Sequence, residues 1–104
     1  MNCVVAPKSF ADCSSLLHQG NWVDALQEAV QGCNMPLLGI CVGMQLLAET
    51  SSEGSENGNF AVGLGLIPGH VEHLRALGCQ LRLPHVGWNG IFSKTVGDHF
   101  FDKI

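Results

Sequence analysis

The stretch PLLGICVGMQLLAET, residues 36–50, changes its periodicity halfway along. Pro36 to Ile40 is an unbroken apolar run, the pattern of a strand buried on both faces of a parallel sheet. From Val42 the apolar spacing becomes helical. Between the two lies Gly39-Ile40-Cys41-Val42-Gly43, of the form G-x-C-x-G. This matches the nucleophile-elbow pattern, with cysteine in the place of serine. Such a turn forces the nucleophile into a strained backbone conformation, and flanking glycines remove Cβ atoms that would clash. The sulfur then sits over a helix N-terminus, where dipole and free N–H groups favour thiolate. The N–H of Val42 is directed to where an oxyanion would form. Gln45 follows one turn later, on the side that faces the elbow. The competing reading is a buried cysteine in a glycine turn, which five residues alone do not exclude.

Upstream, Asn2 to Ala6 is apolar and β-branched and predicts a strand ended by Pro7. Ser9 is placed to cap a helix carrying Phe10, Cys13, Leu16 and Leu17 on one stripe, with Gly20 as its stop. Asn21 is placed to cap a second helix with Trp22, Leu26, Ala29 and Val30 on one face, closed by Gly32. Downstream, Ser51 to Asn59 is polar and glycine-containing and reads as a loop. Beyond it LGLI, HVEHL, CQLRL and WNGIFS predict short strands between turns, a β-rich second half. No repeat or linker divides the chain, so residues 1–104 are expected to form a single domain. The sequence ends abruptly, FFDKI stopping on an apolar residue, and is expected to be a piece of a larger unit, incomplete at both ends.

Lys and Arg number only 5 against a net charge of -4, which disfavours a phosphate-tracking, nucleic-acid-binding surface. No apolar run is long enough to span a bilayer, and no signal-peptide pattern opens the chain. The five cysteines are widely spaced with no C-x-x-C, a poor fit to a disulfide framework or a zinc ribbon. Free thiols in a reducing cytoplasm fit better, most of them as small buried apolar groups. His70 and His73 are three apart in strand-like texture and would face opposite sides, so no metal site is expected. No cofactor is expected either. His18 is placed to meet helix C-terminal carbonyls, His99 to lie in a turn, and Trp22 to pack in the core.

GICVGMQLLAE resembles the glutaminase motif of the class I (triad) glutamine amidotransferases. Within that family, FADCSSLL, SSEG, GLGLIPGHVEHL and LRLPHVGWN are similar to the glutaminase subunits of imidazole glycerol phosphate synthases, in histidine biosynthesis. The resemblance implies a three-layer, flavodoxin-like α/β fold. It also implies that Cys41 attacks the side-chain amide of glutamine, forming a γ-glutamyl thioester and releasing ammonia, after which water frees glutamate. Val42 and Gly43 would border the oxyanion site. Gln45 and Glu53 would contact glutamine, Glu53 at its amino-acid end. Ordinary composition would make Glu53 a solvated loop acid. His85, Gly87, Trp88 and Asn89 would lie near the face toward the partner, a (β/α)8-barrel cyclase subunit that receives the ammonia.

Two places depart from the family pattern. Where the family carries a glycine-rich oxyanion segment, this sequence reads Val5-Ala6-Pro7-Lys8-Ser9. Loss of one such donor costs roughly two to three orders of magnitude in rate. The family's general base is a histidine in an H-x-E pair beyond the cyclase-facing segment, and no such pair follows PHVGWN here. The isolated chain is therefore expected to be inactive or nearly so as a glutaminase. Two other classes stay open: a non-catalytic interaction or regulatory module, and a different cysteine hydrolase built on the same elbow. An incomplete domain would also expose sheet edges, so self-association is expected.

Overall fold

The computed structural model describes residues 9–54 and 57–92. The predicted strand at residues 2–6, the Val5–Ser9 segment but for Ser9, and His99 lie outside the described residues. Among these described residues, three helices and a small mixed sheet make an α/β arrangement. The helices are α1 (Phe10–Gln19), α2 (Trp22–Gln27, continued by a π-helical turn at Glu28–Gly32) and α3 (Val42–Gln45). The strands are β1 (Thr50–Ser51), β2 (Ala61–Val62) and β3 (His70–Val71).

Helix α1 begins where Ser9 predicts it. The Ser9 hydroxyl accepts from the Asp12 N–H at 3.2 Å, and the Asp12 carboxylate reaches back to the Ser9 N–H at 3.3 Å. This reciprocal box satisfies two donors that a helix start leaves open. Gly20 ends the helix, its N–H donating to the Leu16 carbonyl at 3.0 Å, and the Asn21 N–H donates to the His18 carbonyl at 3.1 Å. His18 Nδ1 bonds the carbonyl of Ser14, one turn back, at 2.8 Å. Asn21 does stand at the start of α2, but in the left-handed conformation (φ 57°) and without a side-chain cap bond. Its role is to turn the chain, which asparagine tolerates better than most residues.

The sheet runs in the order β2-β1-β3. β1 pairs antiparallel with β2 (Thr50 opposite Val62, Ser51 opposite Ala61) and parallel with β3 (Thr50 opposite His70, Ser51 opposite Val71). Helix α1 lies against α2, α3 and β2. The Ser14 hydroxyl ties it to the sheet by donating to the Val62 carbonyl at 2.5 Å. Phe10, Leu46 and Leu64 are buried where these elements meet. Gly63 allows that approach, since a Cβ there would run into the Ala48 carbonyl and the Phe10 ring.

Several expectations are corrected. Pro36 to Ile40 is not in a strand, and Ile40 is 74% exposed. A central parallel strand needs a neighbour on each side, and the described strands pair only with one another. Residues 37–40 instead line an open cleft of about 230 Å³ with Leu17, Leu26 and Leu64. Among the described residues, the strands of the β-rich second half are β2 and β3 alone. LGLI instead wraps the end of the α3 region, where N–H groups of residues 64–67 donate to the carbonyls of Leu46, Leu47 and Ala48. Terminal helix carbonyls lack intrahelical partners and so capture these donors. CQLRL and WNGIFS form no strand among the described residues. Residues 50–51, read as helix end and loop start, form β1. Trp22 is 59% exposed rather than packed in the core. Cys33 and Cys41 are exposed, and Cys13 and Cys79 only partly covered, so the described cysteines are not buried groups. Among the described residues, no helix is long and apolar enough to cross a membrane.

Candidate active site

Cys41 stands between the extended segment 36–40 and α3 with φ 56° and ψ -120°. A non-glycine residue in this region is strained by about 1–3 kcal/mol and persists only when its surroundings impose it. Gly39 shows what imposes it. A Cβ at Gly39 would lie 2.7 Å from the Gly43 carbonyl oxygen and from the N and Cα of Met44, all backbone atoms. The incoming segment therefore crosses directly over α3, and only glycine fits beneath. Gly43, by contrast, has open space where a Cβ would stand. The two glycines of G-x-C-x-G are not equivalent: the first permits the turn and the second does not limit it.

The turn is closed by backbone bonds. The Gly43 N–H donates to the Ile40 carbonyl at 2.9 Å, and Met44 and Gln45 donate to the Cys41 carbonyl at 3.0 and 3.2 Å. The Val42 N–H occupies the first helical position, where an intrahelical acceptor is impossible. The Cys41 thiol is exposed, and no imidazole bonds it among the described residues.

One turn along α3, Gln45 lines a cleft of about 570 Å³ with Ser52, Glu53, Glu72, His73 and His85. Gln45 and Glu53, the two residues expected to touch glutamine, thus share one cavity. Cys41 is outside the lining, linked to it through the Gln45–Cys41 backbone bond. Glu53 is held at both ends. Its N–H donates to the Ser51 hydroxyl at 3.0 Å, and its Oε2 accepts from the Phe10 N–H, also at 3.0 Å. Of the residues expected on the partner face, His85 lies in the cleft wall, while Gly87, Trp88 and Asn89 are exposed and outside it. Trp88 is 104% exposed, with Val86, Ile91 and Phe92 also strongly exposed around it.

Sequence reasoning missed Glu72, although the signal was legible, and weighed His73 only as a metal partner of His70. His70-Val71-Glu72 is itself an H-x-E pair, upstream of the place where the family carries its base. Residues two apart on a strand share a face, and here the His70 Nε2 lies 3.5 Å from the Glu72 Oε2. The His70 Nδ1 shares a 2.8 Å hydrogen bond with the Thr50 hydroxyl, and its ring meets Phe60 edge to face at 4.7 Å. Glu72 Oε1 accepts from the Ser52 hydroxyl at 2.5 Å and from the His73 N–H at 2.8 Å. These donors, the Ser52 hydroxyl foremost, hold the Glu72 carboxyl below the usual carboxylate range. The pair is therefore committed to the sheet and its flanking turn.

A strained cysteine thus stands between an extended segment and a helix, one turn from the cleft that Gln45 and Glu53 share. The glutamine amidotransferase class-I model matches residues 7–99, and the chain belongs to that family. It is similar to imidazole glycerol phosphate synthase subunit HisH 2 of Vibrio vulnificus (strain YJ016), 44% identical over 95% of this chain and 45% of the relative. Subunit HisH 1 of Prochlorococcus marinus (strain MIT 9313) is 44% identical over 85% of this chain and 41% of its own length. Subunit HisH of Geobacter metallireducens is 41% identical over 90% and 44% respectively. The chain thus spans less than half the length of these curated relatives. No solved structure gave a significant match.

Proposed function

We propose that the chain is a single domain of three-layer, flavodoxin-like type that carries the nucleophile and substrate pocket of a glutaminase subunit of imidazole glycerol phosphate synthase. The observation that carries this reading is the strained Cys41 at the foot of α3, with Gly39 packed against the helix backbone. Cys41 attacks the glutamine side-chain amide. The Val42 N–H receives the developing oxyanion, since that of Gly43 is engaged by Ile40. Gln45 and Glu53 bind glutamine in the shared cleft, the Glu53 carboxylate taking the α-ammonium group. Ammonia passes to a (β/α)8-barrel cyclase that docks at the face of His85, Gly87, Trp88 and Asn89. Fully exposed Trp88 suits such an anchor, because aromatic side chains dominate interface energetics. The setting is cytoplasmic.

The proton relay is the weak link. Among the described residues no imidazole bonds Cys41, and His70 and Glu72 are bonded to Thr50 and Ser52. The isolated chain is accordingly expected to release glutamate from glutamine only at a trace rate, with Cys41→Ala removing what remains. Fast release that survives Cys41→Ala would refute the assignment. A second reading, an interaction module without turnover, is favoured by the exposed strip at Val86, Trp88, Ile91 and Phe92, together with a Cys41 that meets no imidazole among the described residues. Cyclase binding without any reaction of Cys41 with a glutamine analogue would select it.

A further inference from the structure

We propose that Ser51 is a positioning residue for the glutamine site, acting through Glu53; this rests on the reading of Glu53 given above. Ser51 lies in the central strand β1, between Ala61 and Val71, and is fully buried. A buried hydroxyl is tolerated when it has a partner. The partner here is the N–H of Glu53, two residues on, at 3.0 Å. This side-chain-to-backbone bond closes a local turn just after the strand. The turn sends the Glu53 carboxylate to the start of α1, where the Phe10 N–H fixes Oε2. Gly54 follows with φ 70°, close against Ser9, so the chain cannot relax outward without losing that packing.

Glu53 is thus held by its backbone to the rigid centre of the sheet and by its carboxylate to a helix N-terminus. Together the two anchors fix where Glu53 stands in the wall of the cleft that Gln45 also lines. Binding sites need such support, because a carboxylate free to swing loses its ligand geometry. Ser51 itself, buried within the central strand, does not line that cleft. Its effect on glutamine passes through Glu53.

The test uses the full 104-residue chain. Titration calorimetry compares L-glutamine with 4-carbamoylbutanoate, which has the same amide but no amino group. Ser51→Ala should weaken glutamine by about three- to tenfold, the scale of one lost hydrogen bond, and leave 4-carbamoylbutanoate unchanged. In a Glu53→Gln background, Ser51→Ala should add no further loss, as expected of residues acting as one unit. Amide exchange at Glu53 should speed up by about tenfold on the same scale. Equal weakening of both ligands, or an unchanged Glu53 exchange rate, would overturn the proposal. If the wild-type chain binds neither ligand, the glutamine reading of the cleft fails, while Glu53 exchange still decides whether Ser51 holds that residue.

Discussion

Replacing Gly39 by alanine probes the elbow at its tightest point. The new Cβ would meet three backbone atoms of α3, each at 2.7 Å, about 0.7 Å short of ordinary van der Waals contact. None is the end of a flexible side chain, so the helix start or the incoming segment must move. Overpacking of this kind costs about 1–3 kcal/mol. For a domain of this size each kcal/mol lowers the melting temperature by roughly 4–8 °C. Gly43→Ala is the matched control. Its Cβ enters open space inside a helix, where alanine is favoured over glycine by about 1 kcal/mol. Thermal unfolding should show Gly39→Ala clearly destabilised and Gly43→Ala neutral or stabilised. Alkylation of Cys41 by iodoacetamide should change in Gly39→Ala alone, because only that substitution shifts the thiol relative to α3. Equal stability of the two variants would refute the claim that the first glycine alone permits the turn.

Cys41→Gly should stabilise the chain by about 1 kcal/mol in chemical denaturation, since glycine accepts φ 56° without strain; a loss of stability would mean that the thiol contributes packing. Ser52→Ala removes the main donor to Glu72 and should move that carboxyl's titration upward, as read by carbon NMR. Because the folded-state value is depressed, the stabilisation from Glu72 is present above the unfolded carboxylate range and fades as pH falls through the lowered folded value; in Ser52→Ala the fade should be smaller and end at higher pH. Trp88→Ala should leave the melting temperature unchanged, the side chain being fully exposed, yet weaken binding to a cyclase barrel by tenfold or more, on the order of a hot-spot loss.

The parts of the fold that rest on local chemistry were legible in the sequence. Ser9 and Gly20 mark the ends of α1, and G-x-C-x-G marks a strained turn into a helix, because caps and turns depend on a few neighbouring residues. The parts that rest on partners were not. Leu37 to Ile40 has the composition of a buried strand, but a strand exists only where another pairs with it. LGLI has strand-like composition too, yet its N–H groups serve the carbonyls left open after α3. At the site, the elbow pattern and the i,i+4 spacing brought Cys41 and Gln45 together without help. Glu53 came only through family resemblance, and its two anchors, Ser51 and Phe10, depend on folding that a sequence pattern does not display. His70 and Glu72 were readable as a pair two apart on a strand, and their commitment to Thr50 and Ser52 was not.

The central claim is that Cys41 is a nucleophile served by a glutamine pocket. Peptide-level mass spectrometry after treatment with 6-diazo-5-oxo-L-norleucine, a glutamine-shaped electrophile, tests it most directly. Labelling should fall on Cys41, spare Cys33, which is also exposed, and slow when L-glutamine is added. Labelling spread over Cys41 and Cys33 alike, indifferent to glutamine, would contradict it.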